Sequence, residues 1–170
     1  MSLQTTLTAL QASAVSLMQV DSFFNGSIST NSKSIPIITE QKGGVQDQIL
    51  TCLGSVGICA LVMTPVFEFH SNLAQDLSGW ALLTVTIFED AMINQTTQGT
   101  GVFGIALAER IVAILHWAQH GVPTGPVSDE ITAATRFLGI SRPIEFISDG
   151  PPLQYNVGFQ AHVTLNPQFV

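Results

Sequence analysis

A chain of 170 residues is long enough for one domain with its own core, and no linker, repeat or low-complexity tract divides it, so a single domain over residues 1–170 is expected. Hydrophobic residues make up 46% of the chain and charged residues only 10%, which leaves a polar surface of Ser, Thr, Asn and Gln. The formal net charge of −7 opposes nucleic-acid backbones, and no apolar run approaches the roughly 18 residues needed to span a bilayer, so neither nucleic acid nor membrane is expected as a partner.

In chain order, Leu3, Leu7, Leu10, Ala14 and Leu17 alternate at spacings of four and three and predict a helix over Ser2 to about Val20. Residues Met1–Val20 carry no positive charge and have threonines and Gln4 among their apolar positions, so they do not read as a secretory leader. Synthesis in and retention by the cytoplasm are expected. Asp21–Ser34 is a Ser-, Asn- and Gly-rich loop, and Ile35–Thr39 a short edge strand because Pro36 cannot donate to a ladder. Gly43–Leu53 predicts a short helix. Val56–His70 is dense in β-branched residues, interrupted at Pro65, and reads as a strand pair or one bent strand. Cys52 and Cys59 suit a reducing compartment and read as small buried hydrophobes.

Trp80–Glu89 is the next strand, with Ala81, Leu83, Val85 and Ile87 on one face and Trp80, Leu82 and Phe88 on the other. A strand apolar on both faces is central or lies against a partner. Asp90–Gly101 is a polar loop. Val102 to about His120 predicts a second long helix, with Gly121 as the residue that closes it. Val122–Ser128 is a Pro/Gly connector, and Asp129–Leu138 a short helix capped by Ser128. Ile144–Ser148 and the Asp149–Pro152 turn lead into the clearest pattern of the chain. Tyr155, Val157, Phe159, Ala161, Val163 and Leu165 alternate with Gln154, Asn156, Gly158, Gln160, His162 and Thr164, which predicts a long half-buried antiparallel strand. The class expected is α+β, a small, mostly antiparallel sheet with two long helices packed on it.

Chemistry-bearing patterns are sparse. Gly99, Gly101 and Gly104 fit the G-x-G-x-x-G spacing between a strand and a helix, but about nine residues separate the strand from the first glycine, and no second strand follows about 20 residues on. A small-molecule or nucleotide-binding domain using the Gly99–Gly104 loop stands as the alternative reading. His116 and His120 sit four apart without an intervening Glu or a third ligand, and they read as structural rather than metal-binding. Glu89 and Asp90 most simply solvate the exit from their strand. No catalytic, cofactor-binding or metal site is expected, and no cofactor.

Isolated charges are what usually keep protein faces apart, so a chain this poor in them is expected to self-associate. The order of elements, the strand end Glu89-Asp90-Ala-Met-Ile-Asn94, the Gly-Thr-Gly loop, the long helix closing on Leu115-His116-Trp117 and the final hairpin resemble the tail terminator, or tail completion, proteins of long-tailed bacteriophages and prophages. The resemblance covers roughly Leu3–Leu165 and rests on arrangement; other tail-tube and connector proteins share much of it. It implies a structural, non-enzymatic subunit that forms a ring, commonly a hexamer. The ring would cap the tail tube and meet head-completion proteins, in the bacterial host cytoplasm during assembly and then in the virion tail. The segment Asn94, Gln95, Thr96, Thr97, Gln98, Gly99, Thr100 and Gly101 is the candidate assembly loop, expected to be mobile in the free subunit because nothing apolar anchors it.

Overall fold

A computed structural model of the protein describes residues 3–27, 32–40, 43–69, 77–121, 136–148 and 150–165. The chain runs α1 (Leu3–Gln19), β1 (Ile37–Thr39), α2 (Val45–Val56), β2 (Ile58–Val62), β3 (Val66–Phe69), β4 (Leu77–Glu89), α3 (Ala91–Asn94), α4 (Gly104–Leu115), β5 (Leu138–Ser148) and β6 (Leu153–Leu165). This is an α+β fold. The sheet has the order β1-β2-β4-β6-β5, with β3 also paired to β4. The expected short helix Asp129–Leu138 falls largely outside the described residues; Arg136 bridges Gln119, and Leu138 already belongs to β5.

The sheet is mixed because β1 and β2 are parallel, with Ile37 opposite Ala60 and Thr39 opposite Val62. A parallel pair needs a crossover, and α2 is that crossover. Its twelve residues equal α4 in length, so the expectation of two long helices is corrected to three. Gly57 closes α2 at φ 78°, its N–H donating to the carbonyls of Cys52 and Leu53.

Of the expected Val56–His70 segment, Val56 ends α2, and β2 and β3 follow one another along the same edge of β4, bent around Pro65. Val62 faces Val85 while Val66 faces Leu82, so four steps on one side answer three on the other and one residue bulges around Pro65. β4 is central, paired along one edge with β2 and β3 and along the other with all of β6.

The main core lies between one sheet face and helices α1 and α4. Val85, Ile87, Val157, Phe159 and Val163 meet Leu10, Ala14 and Met18 from α1 and Leu107, Ala108, Ile111 and Leu115 from α4. The inward register of β6 is the one its alternation predicts. On α1 the buried stripe is rotated from the expected one, since Thr6 and Gln11 are buried while Leu3, Leu7 and Leu17 sit at the margin. Burying Gln11 is tolerable because its amide donates to the Val62 carbonyl at 2.8 Å, where β2 leaves register. On the other face a smaller core of Ile38, Cys59 and Leu61 packs against α2 and Phe88. Beyond α2 that face carries half-buried Trp80 and Leu82, and the Thr86 hydroxyl donates to Asn156 Oδ1 at 2.8 Å.

The second long helix stops at Leu115, five residues before His120. Trp117 holds the left-handed conformation, φ 68°, in place of the glycine expected to end the helix. Its N–H donates to the Phe137 carbonyl at 2.7 Å, and Phe137 N–H donates to Ala118, so the backbone leaves the helix to pair with the run into β5. Arg136 stacks over the indole at 5.6 Å and donates from Nη1 to the Trp117 carbonyl, which holds this unusual residue in place.

Arg110 of α4 ties that helix to the end of α1, with Nη2 2.6 Å from Asp21 Oδ2 and the guanidinium 5.7 Å from the Phe23 ring. Burial alone would raise the Asp21 pKa. Hydrogen bonds from Arg110 and the Phe23 N–H, together with the guanidinium charge, more than offset this and hold it below its usual value. A carboxyl depressed in the folded state contributes stability above its unfolded pKa, about 3.9, and loses it as pH falls through the folded value. Asp21→Asn should therefore melt earlier than wild type at neutral pH, the gap closing below about pH 4 in thermal scans across pH. A gap that stays constant into acid would contradict the pairing.

Candidate assembly surface

The loop after β4 is built around a buried carboxylate. Glu89, the last residue of β4, is 2% exposed, so the expectation that it solvates the strand exit is corrected. Its Oε1 accepts from Asn94 Nδ2 at 2.7 Å and its Oε2 from the Gly104 N–H at 2.7 Å. Gly104 opens α4, so Glu89 places negative charge where the helix N-terminus offers unpaired N–H groups and a positive dipole end. Burial and then the Glu89 charge push the neighbouring Tyr155 phenol pKa up.

Asn94 is the second anchor and is fully buried. Its Nδ2 also donates to the Val102 carbonyl at 2.7 Å, and its Oδ1 accepts from the Thr100 hydroxyl at 2.7 Å and the Thr100 N–H at 3.2 Å. With its backbone carbonyl accepting from Gly101 N–H at 2.9 Å, Asn94 closes the loop on itself. Asp90 begins the turn as the N-cap of α3, its Oδ1 accepting from Met92 N–H.

These contacts correct the expectation of an unanchored loop: its anchors are polar, which a search for apolar residues overlooks. The eight candidate residues divide accordingly. Asn94, Gly99 and Thr100 are buried and Gly101 half-buried, whereas Gln95, Thr96, Thr97 and Gln98 form an exposed tip. Lys33 Nζ donates to the Gln98 carbonyl beside it.

The glycine spacing has a packing origin. A Cβ on Gly99 would lie 2.1 Å from the Asn94 carbonyl oxygen, and one on Gly104 2.7 Å from Glu89 Oε2 and 2.8 Å from the Tyr155 ring. The helix N-terminus that a nucleotide phosphate would use already holds the Glu89 carboxylate. His116 and His120 do not share a helix face, because α4 ends before either. His116 Nδ1 accepts from Gly139 N–H at 3.0 Å, and buried His120 stands edge-on to Phe137 at 5.4 Å. Among the described residues no group of three or more His, Cys, Asp or Glu is placed to hold a metal ion, and no helix is long and apolar enough to cross a membrane.

Around this loop lies a feature the sequence reading missed. Tyr155 packs beneath the start of α4 and meets the Phe146 ring at 5.2 Å, and Phe146 is 52% exposed. Phe103, directly before α4, is 58% exposed and Met92 of α3 86%, with Ile105 and Ile147 also exposed. Half of the exposed large hydrophobics of the described chain thus gather where β4 ends and β6 begins. These residues span 55 positions, from Met92 to Ile147, and only the sheet register brings their segments to one end. Where exposed side chains such as these form a contiguous patch, that patch marks a docking surface.

Compared with known proteins, the chain matches no family model and no curated relative.

Proposed function

We propose that the protein is a structural subunit of a phage or prophage virion, similar to the tail terminators that form a ring capping the tail tube and joining it to the head. The observation that carries the reading is the apolar end of the molecule, Met92, Phe103 and Phe146 beside the polar tip Gln95–Gln98. With 10% charged residues, few surface charges oppose contact between copies, and at physiological salt the repulsion from the net charge of −7 is screened beyond about 8 Å. In this reading α1 and α4 are the two helices that the resemblance places on the sheet. A closed ring requires that this end meet a different surface on the neighbouring copy. The remaining partners would be the tail tube and head-completion proteins, met in the host cytoplasm and kept in the virion tail.

The test is a pair of substitutions at exposed positions, Phe103→Ser with Phe146→Ser. Neither ring is buried, so unfolding free energy should change by less than about 1 kcal/mol per site. Association should weaken at least tenfold, read as the shift in concentration dependence of sedimentation. Unchanged association of a folded double variant would remove this surface from the interface.

A further inference from the structure

A closed ring needs a second surface for the apolar rim to meet, and the two ends of the strand order offer different ones. At one end, among the described residues, β1 pairs with β2 alone. The Ala60 N–H donates to the Pro36 carbonyl at 3.0 Å, so the alternation along a parallel ladder turns the backbone groups of Ile37 and Thr39 away from β2. Beside this open edge runs a groove of about 300 Å³, lined by Pro36, Ile37 and Ile38 on the sheet side and by Asp47, Gln48 and Cys52 on α2. Asp47 is the charged side chain of that lining, and it is exposed.

At the other end, among the described residues, β5 pairs with β6 alone. It leaves register between Gly139 and Ile144, then pairs again with Phe146 opposite Tyr155. Phe146 and Ile147 are exposed there and already belong to the apolar rim. Arg142 stands exposed in the break. Lys33, Arg110 and Arg136 donate within their own fold to Gln98, Asp21 and Trp117, which leaves Arg142 as the described cation able to answer a charge on another subunit. A charge on an edge strand discourages pairing with other edges unless an opposite charge faces it.

We propose that the counter-surface of the ring is the β1–α2 groove and that its occupant is β5 of a second copy, an assignment that rests on the ring reading and adds its second face. β5 lies along the open side of β1, so that backbone groups left unpaired at both edges meet. Phe146 and Ile147 cover the apolar side of the groove, and Arg142 comes to Asp47. Because the two surfaces stand at opposite ends of one sheet, each subunit presents β5 to one neighbour and the groove to the other, and such a head-to-tail series can close.

The experiment follows sedimentation of the full chain carrying Asp47→Arg, Arg142→Asp or both. Each single substitution sets like charges against each other across the contact and should weaken association by about tenfold or more. The double substitution exchanges the two charges and should regain most of that loss. General repulsion predicts otherwise, since Asp47→Arg makes the chain less negative and Arg142→Asp more negative, which would shift association in opposite directions. A folding defect in α2 would not be repaired from the opposite edge of the sheet, so recovery reports the contact itself. Mixing the Phe146→Ser chain, which keeps its groove, with the Asp47→Arg chain, which keeps its β5, should give a one-to-one dimer that grows no further. Single variants that assemble as tightly as wild type, shifts of opposite sign, or no recovery in the double variant would each overturn the proposal while the wild-type oligomer still stands. A wild-type chain that stays monomeric at every concentration would overturn the ring reading and this contact together.

Discussion

Replacing Glu89 by Ala is expected to destabilise the protein by about 3–5 kcal/mol in urea unfolding, among the largest effects of any single substitution in the chain. Its carboxylate holds Asn94 Nδ2 and the Gly104 N–H at 2.7 Å each, and both donors are buried. Stripped of their acceptor, each donor costs about 1–3 kcal/mol, and the void left by the side chain adds to that. Gln is nearly isosteric but presents an NH2 to one of the two donors, so Glu89→Gln should fall between wild type and Glu89→Ala. The loss should also release the loop. Amide exchange at Thr100 and Val102, whose N–H groups donate to Asn94 Oδ1 and Thr100 Oγ1, should then speed more than exchange in β6. A Glu89→Ala protein as stable as wild type, or one whose exchange rises evenly everywhere, would show that this carboxylate does not organise the loop.

Phe159→Ala should cost a comparable 3–5 kcal/mol, for a different reason. The ring is 1% exposed and sits in the main core, facing Leu83 across the ladder and packed beneath α1 and α4. Removing it loses the transfer energy of a large apolar group and leaves a cavity that neighbouring strands cannot collapse into. Gln160, one position on, faces the other side of the sheet and is half-buried, so Gln160→Ala should cost below about 1 kcal/mol. Equal losses at the two positions, measured by the same urea titration, would mean that β6 is turned over.

The contrast between these two sites explains what the sequence made legible. β6 could be read residue by residue because period-two alternation over a dozen positions reports burial directly, and β4 could be read as central because both its faces are apolar. Patterns carried by apolar residues survive into the fold. The rotated stripe of α1, with Thr6 and Gln11 inward, was not legible because a single carbonyl, that of Val62, makes Gln11 acceptable there. Nor was the early end of α4, where pairing with Phe137 draws the chain out of a helical pattern that local propensity would have continued.

At the candidate site the division is sharper. The eight loop residues were identified from length and polarity, but the same polarity suggested freedom where the fold supplies anchors. Glu89 and Asn94 look like solvent-seeking residues at a strand exit until the turn of α3 brings Asn94 back over the strand end and α4 presents Gly104 N–H to Glu89. Such a network depends on positions 5 and 15 residues apart acting together, which no local period reports. The apolar end was illegible for a related reason. Met92, Phe103 and Phe146 lie on separate stretches of the sequence, and only the pairing of Phe146 with Tyr155, whose ring packs against Gly104, brings Phe146 to the start of α4 beside Phe103.

Self-assembly through that rim is the central claim, and the most direct measurement is the mass of the purified full chain by sedimentation equilibrium over a wide range of concentration. The account predicts one closed oligomer of fixed stoichiometry, in equilibrium with monomer, that the Phe103→Ser, Phe146→Ser double substitution shifts toward monomer while the subunit stays folded. A wild-type chain that remains a monomer at every concentration would contradict it.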